Sequence, residues 1–196
     1  MASPNPRTTK RVFDIFCALF FLLLALPLFL LIGIAVWMTS RGPIIFKQKR
    51  LGYLGAVFTI FKFRTLKAGT GRRLDMVTKG DPRVTRVGRF LRATHLDELP
   101  QLINVLLGDM SIVGPRPDEI SIAEDLKARI PGYAERLDMM PGITGPQQLR
   151  GREEIIRCGR ECEVPLLRLY RDGQSLFRDC EIIGRTVLHV LRGQGI

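Results

Sequence analysis

The chain has 196 residues and a formal net charge of +11, a length that suits one compact domain with at most an appended segment. Its four cysteines, Cys17, Cys158, Cys162 and Cys180, do not have the spacing of a secreted disulfide framework, and no second ligand pair follows Cys158 and Cys162 to complete a zinc site. All four therefore read as reduced thiols in a cytosol-like compartment.

The charge is unevenly spread. Residues 41–92 hold fourteen Lys/Arg against Asp75 and Asp81, a net +12, whereas the remainder of the chain is close to neutral. Such a block implies an anionic partner: ligand phosphates, anionic lipid head groups or nucleic acid. A solvated basic face kept for solubility is the plain alternative.

In chain order, Ile15 to Met38 carries no formal charge and is rich in Leu, Phe, Ile and Ala. As a helix it is roughly 36 Å long at about 1.5 Å per residue, enough for a hydrocarbon core of about 30 Å. It is too long for a signal-peptide core, and no small-residue cleavage pattern follows. Two features favour a re-entrant over a spanning helix. Pro27 lies in the middle, where it removes a backbone hydrogen bond. Cations also flank both ends, with Arg7, Lys10 and Arg11 before and Arg41, Lys47, Lys49 and Arg50 after, so a spanning helix places one set against the positive-inside rule. Trp37 and Tyr53 suit the membrane interface. Asp14 either pairs with Lys10 or Arg11 or is solvated.

Beyond Gly42-Pro43, the segments 44–48 and 56–63 read as two strands joined by a turn at 51–55. Residues 67–80 read as a loop. The spacing of Val84, Val87 and Leu91 among Arg83, Arg86, Arg89 and Arg92 predicts an amphipathic basic helix suited to an anionic surface. A helix is expected over 97–107 with Pro100 in its first turn, another over 117–129, a turn at 141–146, and one or two helices over 164–192 separated near Gly173. The fold class is α+β and mainly helical: a proline-broken re-entrant membrane helix, one β-hairpin, and amphipathic interfacial helices around a site at the membrane surface. Residues 1–40 form the anchor, and residues 41–196 form a cytoplasmic domain packed on the interface.

The chemistry concentrates at Leu96-Asp97-Glu98-Leu99-Pro100-Gln101-Leu102 and the turn Gly114-Pro115-Arg116-Pro117. Thr94-His95-Leu96-Asp97 fits a capping box, which accounts for one first-turn acid. It does not account for two adjacent carboxylates downstream of a dozen cations. A carboxylate held ionised at a helix start suits a nucleophile or a Mg²⁺ ligand. The prolines around Arg116 restrict its backbone and pre-set a guanidinium fork for phosphate. His95 reads as a surface or interface residue and His189 as a packing residue.

With these residues in place, the chain resembles the small monotopic phosphoglycosyl transferases of the bacterial sugar transferase family. The matching stretches are Lys10-Arg11-Val12-Phe13-Asp14, Gly42-Pro43-Ile44-Ile45-Phe46-Lys47-Gln48, Lys62-Phe63-Arg64-Thr65, Arg92 through the dyad to Pro117, Pro141-Gly142-Ile143-Thr144-Gly145, and Gly151-Arg152. The resemblance implies transfer of a phosphosugar from a UDP-sugar to polyprenol phosphate with release of UMP. It further implies Asp97 as the nucleophile that becomes covalently phosphorylated, and Glu98 as a helper in proton removal or Mg²⁺ orientation. Mg²⁺ is the implied cofactor, bound at Asp97. Arg92 and Arg116 are the implied phosphate holders, with Lys62 and Arg64 assisting, and Pro27 is the expected bend of a re-entrant helix. The implied setting is the cytoplasmic face of a bacterial inner membrane, with UDP-sugar, polyprenol phosphate and membrane lipids as partners.

Three positions depart from the family pattern. Leu26 precedes Pro27 in place of a small hydroxyl residue, Met140 precedes Pro141 in place of a basic one, and Pro146-Gln147-Gln148-Leu149 replaces a hydrophobic-Ala-Gln-Val stretch. The last bears on sugar or nucleotide specificity. The competing readings are a non-enzymatic membrane-anchored basic scaffold and a membrane-anchored nucleic-acid binder. Nucleic acid is not an expected partner, because aromatic residues other than Phe90 are not interleaved among the arginines of 83–92 and no reader motif occurs.

Overall fold

A computed structural model describes residues 6–70, 80–149 and 159–191. Helix α1 runs from Pro6 to Thr39, 34 residues without interruption. Pro27 lies inside it: a proline costs the ladder one hydrogen bond, but the flanking turns carry the helix through. The expected break at Pro27 is therefore not a helix end. The span Thr8–Thr39 is long and apolar enough to cross a membrane by length and composition. Phe16, Leu23, Leu24, Leu30, Leu31 and Met38 leave most of their side chains exposed along it.

Both ends of α1 are nevertheless tied to the rest of the chain. Near its start, Arg11 donates to Val105 O at 2.6 Å and Leu106 O at 3.0 Å, carbonyls at a helix C-terminus, the first of which also accepts from Gly108 N. Asp14 is buried, accepts from Ile112 N at 3.1 Å and lies 3.7 Å from Lys10; Lys10 reaches the fully buried Asp179 at 2.7 Å. At the other end Ile32 and Val36 pack with Phe63 and Leu91, and Ser40 O accepts from Arg64 Nη2.

Strands β1 (Ile45–Leu51) and β2 (Val57–Phe63) form the expected antiparallel hairpin, in register from Ile45 opposite Phe63 to Leu51 opposite Val57. Leu54 and Gly55 both take positive φ in the turn (52° and 79°). Helix α2 (Arg86–Ala93) starts later than its apolar spacing suggests. Thr85 caps it by accepting from Gly88 N at 2.8 Å, while Arg83 folds back on Asp81 and Val84 bridges Leu66.

A short 3₁₀ turn (Leu96–Glu98) precedes helix α3 (Gln101–Leu107), and the dyad therefore lies before the α-helix, not in its first turn. The capping-box expectation for Thr94 also fails. Thr94 ends α2, and its hydroxyl donates backwards to Phe90 O and Leu91 O.

Strand β3 (Ser111–Val113) pairs in parallel with β4 (Gly142–Thr144), a second small sheet where the sequence suggested only turns. Helix α4 (Ile120–Arg129) covers Tyr133. Helices α5 (Glu163–Asp172) and α6 (Leu176–Leu191) follow, divided at Gly173 as expected. One core cluster joins Ala18 of α1 with Leu102, Val105, Met110, Leu167, Tyr170 and Ile182. Cys17 and Cys180 are free thiols. Cys162 is disulfide-bonded, which corrects the expectation of four reduced cysteines; Cys158, Gly151 and Arg152 lie outside the described residues.

Candidate active site

The chain reverses between α2 and α3 at His95, which takes a left-handed conformation (φ 56°, ψ 12°). Few non-glycine residues do so, and His is among those enriched there. This reversal turns Asp97 and Glu98 inward, each only 8% exposed.

Glu98 is clamped. Lys62 Nζ, from β2, lies 2.6 Å from Oε1, and the Arg116 guanidinium grips both oxygens, with Nη1 3.1 Å from Oε2 and Nη2 on Oε1. Arg116 and Lys62 outweigh the burial and hold the Glu98 carboxyl far below the usual carboxylate range. The same pairing raises the Arg116 guanidinium further above its usual value. Burial lowers Lys62, against the pull of Glu98.

Asp97 is the opposite case. Among the described residues its carboxylate makes no hydrogen bond or ion pair. Burial, then the Glu98 charge beside it, pushes it up to about 6, with Lys62, Arg92 and Arg116 working in the other direction. One acid is thus locked as an anion while its neighbour stays reactive. Adjacent carboxylates with divergent environments take separate chemical roles.

Each remaining expected residue has a clear place. Arg92 donates from Nε to Thr65 Oγ1 at 2.8 Å and acts on the Asp97 charge. Arg64 is buried, caps the end of α1 through Ser40 O and takes no part in the Glu98 clamp. The Arg116 turn is set by the small parallel sheet: Gly114 N donates to Thr144 O at 2.8 Å and Gly142 N to Pro115 O at 2.9 Å.

Arg136 supplies a support the sequence did not reveal. It donates to Arg116 O at 2.7 Å and is itself buried between Asp118 (3.1 Å) and Glu163 (3.3 Å). An arginine five residues before Pro141 carries no local signal of that role. Gly114 has no room for a side chain, since a Cβ would stand 2.1 Å from Met140 O. Gly114→Ala is expected to lower stability by roughly 1–3 kcal/mol through overpacking and to cut turnover by displacing Arg116, read from thermal melts and product release.

Glu98, Arg116 and His95 close one part of a cavity of about 380 Å³ whose other walls are mainly apolar. Phe21, Leu24, Ala25 and Leu28 of α1 face Leu99, Leu102 and Val190 across it. His189, expected only to pack, lines the same cavity. The arrangement suits a ligand with an anionic head and an apolar tail.

Among the described residues no group of three His, Cys, Asp or Glu could hold a metal. Mg²⁺ does not require one, because it is commonly held by one or two carboxylates together with substrate phosphates. The unpaired Asp97 carboxylate fits that requirement.

The model of the family described as bacterial sugar transferase matches residues 5–193. A Caulobacter vibrioides protein named UDP-glucose:undecaprenyl-phosphate glucose-1-phosphate transferase is 44% identical over 96% of this chain and 73% of its own length. The Rhizobium leguminosarum exopolysaccharide production protein PSS is 39% identical over 95% of this chain and 97% of its own. The Salmonella typhimurium undecaprenyl-phosphate galactose phosphotransferase is 35% identical over 100% of this chain but 43% of its own length. The chain spans less than half of several other relatives. A match that runs from one end of the chain to the other makes it a member of the bacterial sugar transferase family, an enzyme of the phosphoglycosyl transferase kind that its motifs resemble.

Proposed function

We propose that this enzyme transfers a phosphosugar from a UDP-sugar to polyprenol phosphate, giving polyprenol-diphosphosugar and UMP. One observation carries the reading: an unpaired, buried Asp97 adjoins Glu98, whose clamp with Lys62 and Arg116 is set where Glu98 and Arg116 line the charged end of an apolar cavity. Two relatives named for glucose-1-phosphate transfer and galactose phosphotransfer to undecaprenyl phosphate support the reading.

In the first step an Asp97 carboxylate oxygen attacks the β-phosphorus of the UDP-sugar. The bond from that phosphorus to the bridging oxygen breaks, and UMP leaves with the electron pair. In the second step an oxygen of the lipid phosphate attacks the same phosphorus and displaces Asp97, which regains its carboxylate. Phosphoryl transfer asks mainly for positioning and charge neutralisation, which Arg116, Lys62 and Arg92 provide. Held ionised by two cations, Glu98 is a weak base, and its part is to fix Lys62 and Arg116 in place. Asp97 is the residue that would hold Mg²⁺ together with phosphate oxygens of the substrate, and the ion's contribution is further neutralisation of phosphate charge.

The anchor is read as re-entrant, with the catalytic domain on the cytoplasmic face. Contacts of the same domain with Arg11 and Asp14 at one end and with Ser40 at the other support this, since a spanning helix would put those ends on opposite sides of the bilayer, out of reach of one domain. Exposed Arg86, Arg89 and Phe90 on α2 suit an anionic lipid surface beside it.

Two experiments test these readings. Purified protein given UDP-sugars, Mg²⁺ and undecaprenyl phosphate is expected to release UMP, and folded protein that releases none with any common sugar would refute the activity. Single cysteines introduced before Arg7 and after Ser40 are expected to react from the same side of the membrane. Labelling from opposite sides would remove the re-entrant topology and leave the chemistry intact.

A further inference from the structure

Gln147 is a buried polar side chain that the mechanism above leaves unused. It follows β4 after Gly145-Pro146, is 4% exposed, and neither its Oε1 nor its Nε2 has a hydrogen-bond partner. Native proteins seldom leave a buried carboxamide unsatisfied at both ends, because desolvation is not repaid. An apolar side chain of the same size would fold better there. Its neighbour Gln148 is half used: Nε2 donates to Ile143 O at 3.4 Å, while the buried Oε1 is unpaired.

The two carboxamides lie together at the phosphate-binding turn. Both Oε1 atoms are 2.9 Å from the point where a Cβ would stand on Gly145, and Gly114 O, two residues before Arg116, is 2.2 Å from that point. Glycine at 145 is what lets both amides crowd against this turn. Gln148 shares the cavity wall with Glu98 and Arg116.

We propose that Gln148, on the cavity wall, binds hydroxyl groups of the sugar being transferred, and that Gln147, packed against the same Gly145, sets which sugar is accepted. The proposal rests on the UDP-sugar reading above. A carboxamide offers two donors and an acceptor, which match hydroxyls that both donate and accept. A carboxamide can donate to a phosphate oxygen, but its acceptor oxygen, the unpaired atom in both residues, has no partner there, and a prenyl chain has no group for it to bond. Within a UDP-sugar, one oxygen joins the sugar to the phosphorus that Asp97 attacks, whereas the uracil lies beyond the α-phosphate and the ribose. The polar group nearest the clamp is therefore the sugar.

The test compares the enzyme with its Gln147→Met and Gln148→Met variants. UDP-glucose, UDP-galactose and UDP-N-acetylglucosamine serve as donors, and UDP, which lacks the sugar, as competitor. Gln147→Met is expected to raise the melting temperature by removing an unpaired amide. It should compress the kcat/KM ratio between the preferred sugar and its epimer by about ten-fold, the scale of one hydrogen bond, while inhibition by UDP stays unchanged. Gln148→Met, which also gives up its bond to Ile143 O, should weaken all three sugars and leave UDP inhibition alone. Where turnover is lost, the same ratios are read as UDP-sugar binding in an Asp97→Asn background. An unchanged sugar ranking, or a lower melting temperature with no change in ranking, makes Gln147 structural and overturns the proposal. Weaker UDP inhibition in parallel assigns the pair to the nucleotide and also overturns it. Wild-type protein that is folded yet turns over none of the sugars removes the donor reading itself, a result distinct from an active enzyme whose ranking does not move.

Discussion

Asp97→Asn is expected to bring UMP release down to background and at the same time to make the protein more stable at pH 8. The Asp97 carboxyl is raised from 3.8 to about 6, chiefly by burial and then by Glu98. Its folded-state value therefore lies above its unfolded one, and the sign follows. The group is protonated in both states below about pH 4 and costs nothing. As pH rises toward 6, the unfolded chain ionises first and folding is opposed. Above 6 the penalty is complete, on the order of 3 kcal/mol for a shift of about two pH units. Asparagine keeps the shape and removes the charge, so its stability gain should be present at pH 8 and fade toward pH 4. Thermal melts of both proteins without Mg²⁺ across that range check the sign. The wild-type kcat/KM should climb with pH as Asp97 ionises, since the attacking group must be charged, and the limb should move to lower pH as Mg²⁺ is raised. Retained turnover in Asp97→Asn, or a variant less stable than wild type at pH 8, would contradict the assignment.

Glu98→Gln should do the reverse to stability. Its carboxyl sits below its unfolded value because of Arg116 and Lys62, so its contribution is present above about pH 4.5 and lost as pH falls toward the folded-state value. The neutral variant leaves Lys62 and Arg116 without their shared anion, and because both keep some access to solvent the loss is about 1–3 kcal/mol, below that of a fully buried pair. At pH 7 the melting temperature should therefore fall sharply, with the two proteins converging in acid. A second signature separates the clamp from general loosening. Removing the Glu98 charge also relieves Asp97, so the ascending limb of the pH–rate profile should move to lower pH at the same Mg²⁺ concentration. The double variant Glu98→Gln/Arg116→Met should lose less than the two single changes summed, since they remove one interaction. Additive losses with an unmoved limb would mean that the two acids do not act on each other.

These expectations change the relation between the two acids. By sequence they were neighbours in a helix start, and the family resemblance implied Glu98 as a helper in proton removal or Mg²⁺ orientation. By geometry Glu98 is committed to two cations, and Asp97 is the one kept free. That difference depends on Lys62, 36 positions earlier, and Arg116, 18 positions later. No local pattern encodes it.

What the sequence determined by itself is everything governed by nearest neighbours along the chain. The uncharged run from Ile15 to Met38, the alternation of the β1–β2 hairpin, the division at Gly173 and the presence of a charged dyad beside a proline-framed arginine all follow from short-range composition and period. Local rules also misled where two of them competed. Thr94-His95-Leu96-Asp97 satisfied a capping pattern, yet the left-handed turn at His95 made Thr94 the end of α2. Only the tertiary structure decided the parallel pairing of Ser111–Val113 with Gly142–Thr144, the hold of Arg136 on Arg116, the wall that α1 lends to the cavity, and the burial of Gln147 without a partner. The physical reason is that burial and charge pairing are sums over neighbours in space: a residue's pKa, hydrogen-bond balance and reach to a ligand are set by groups dozens of positions away.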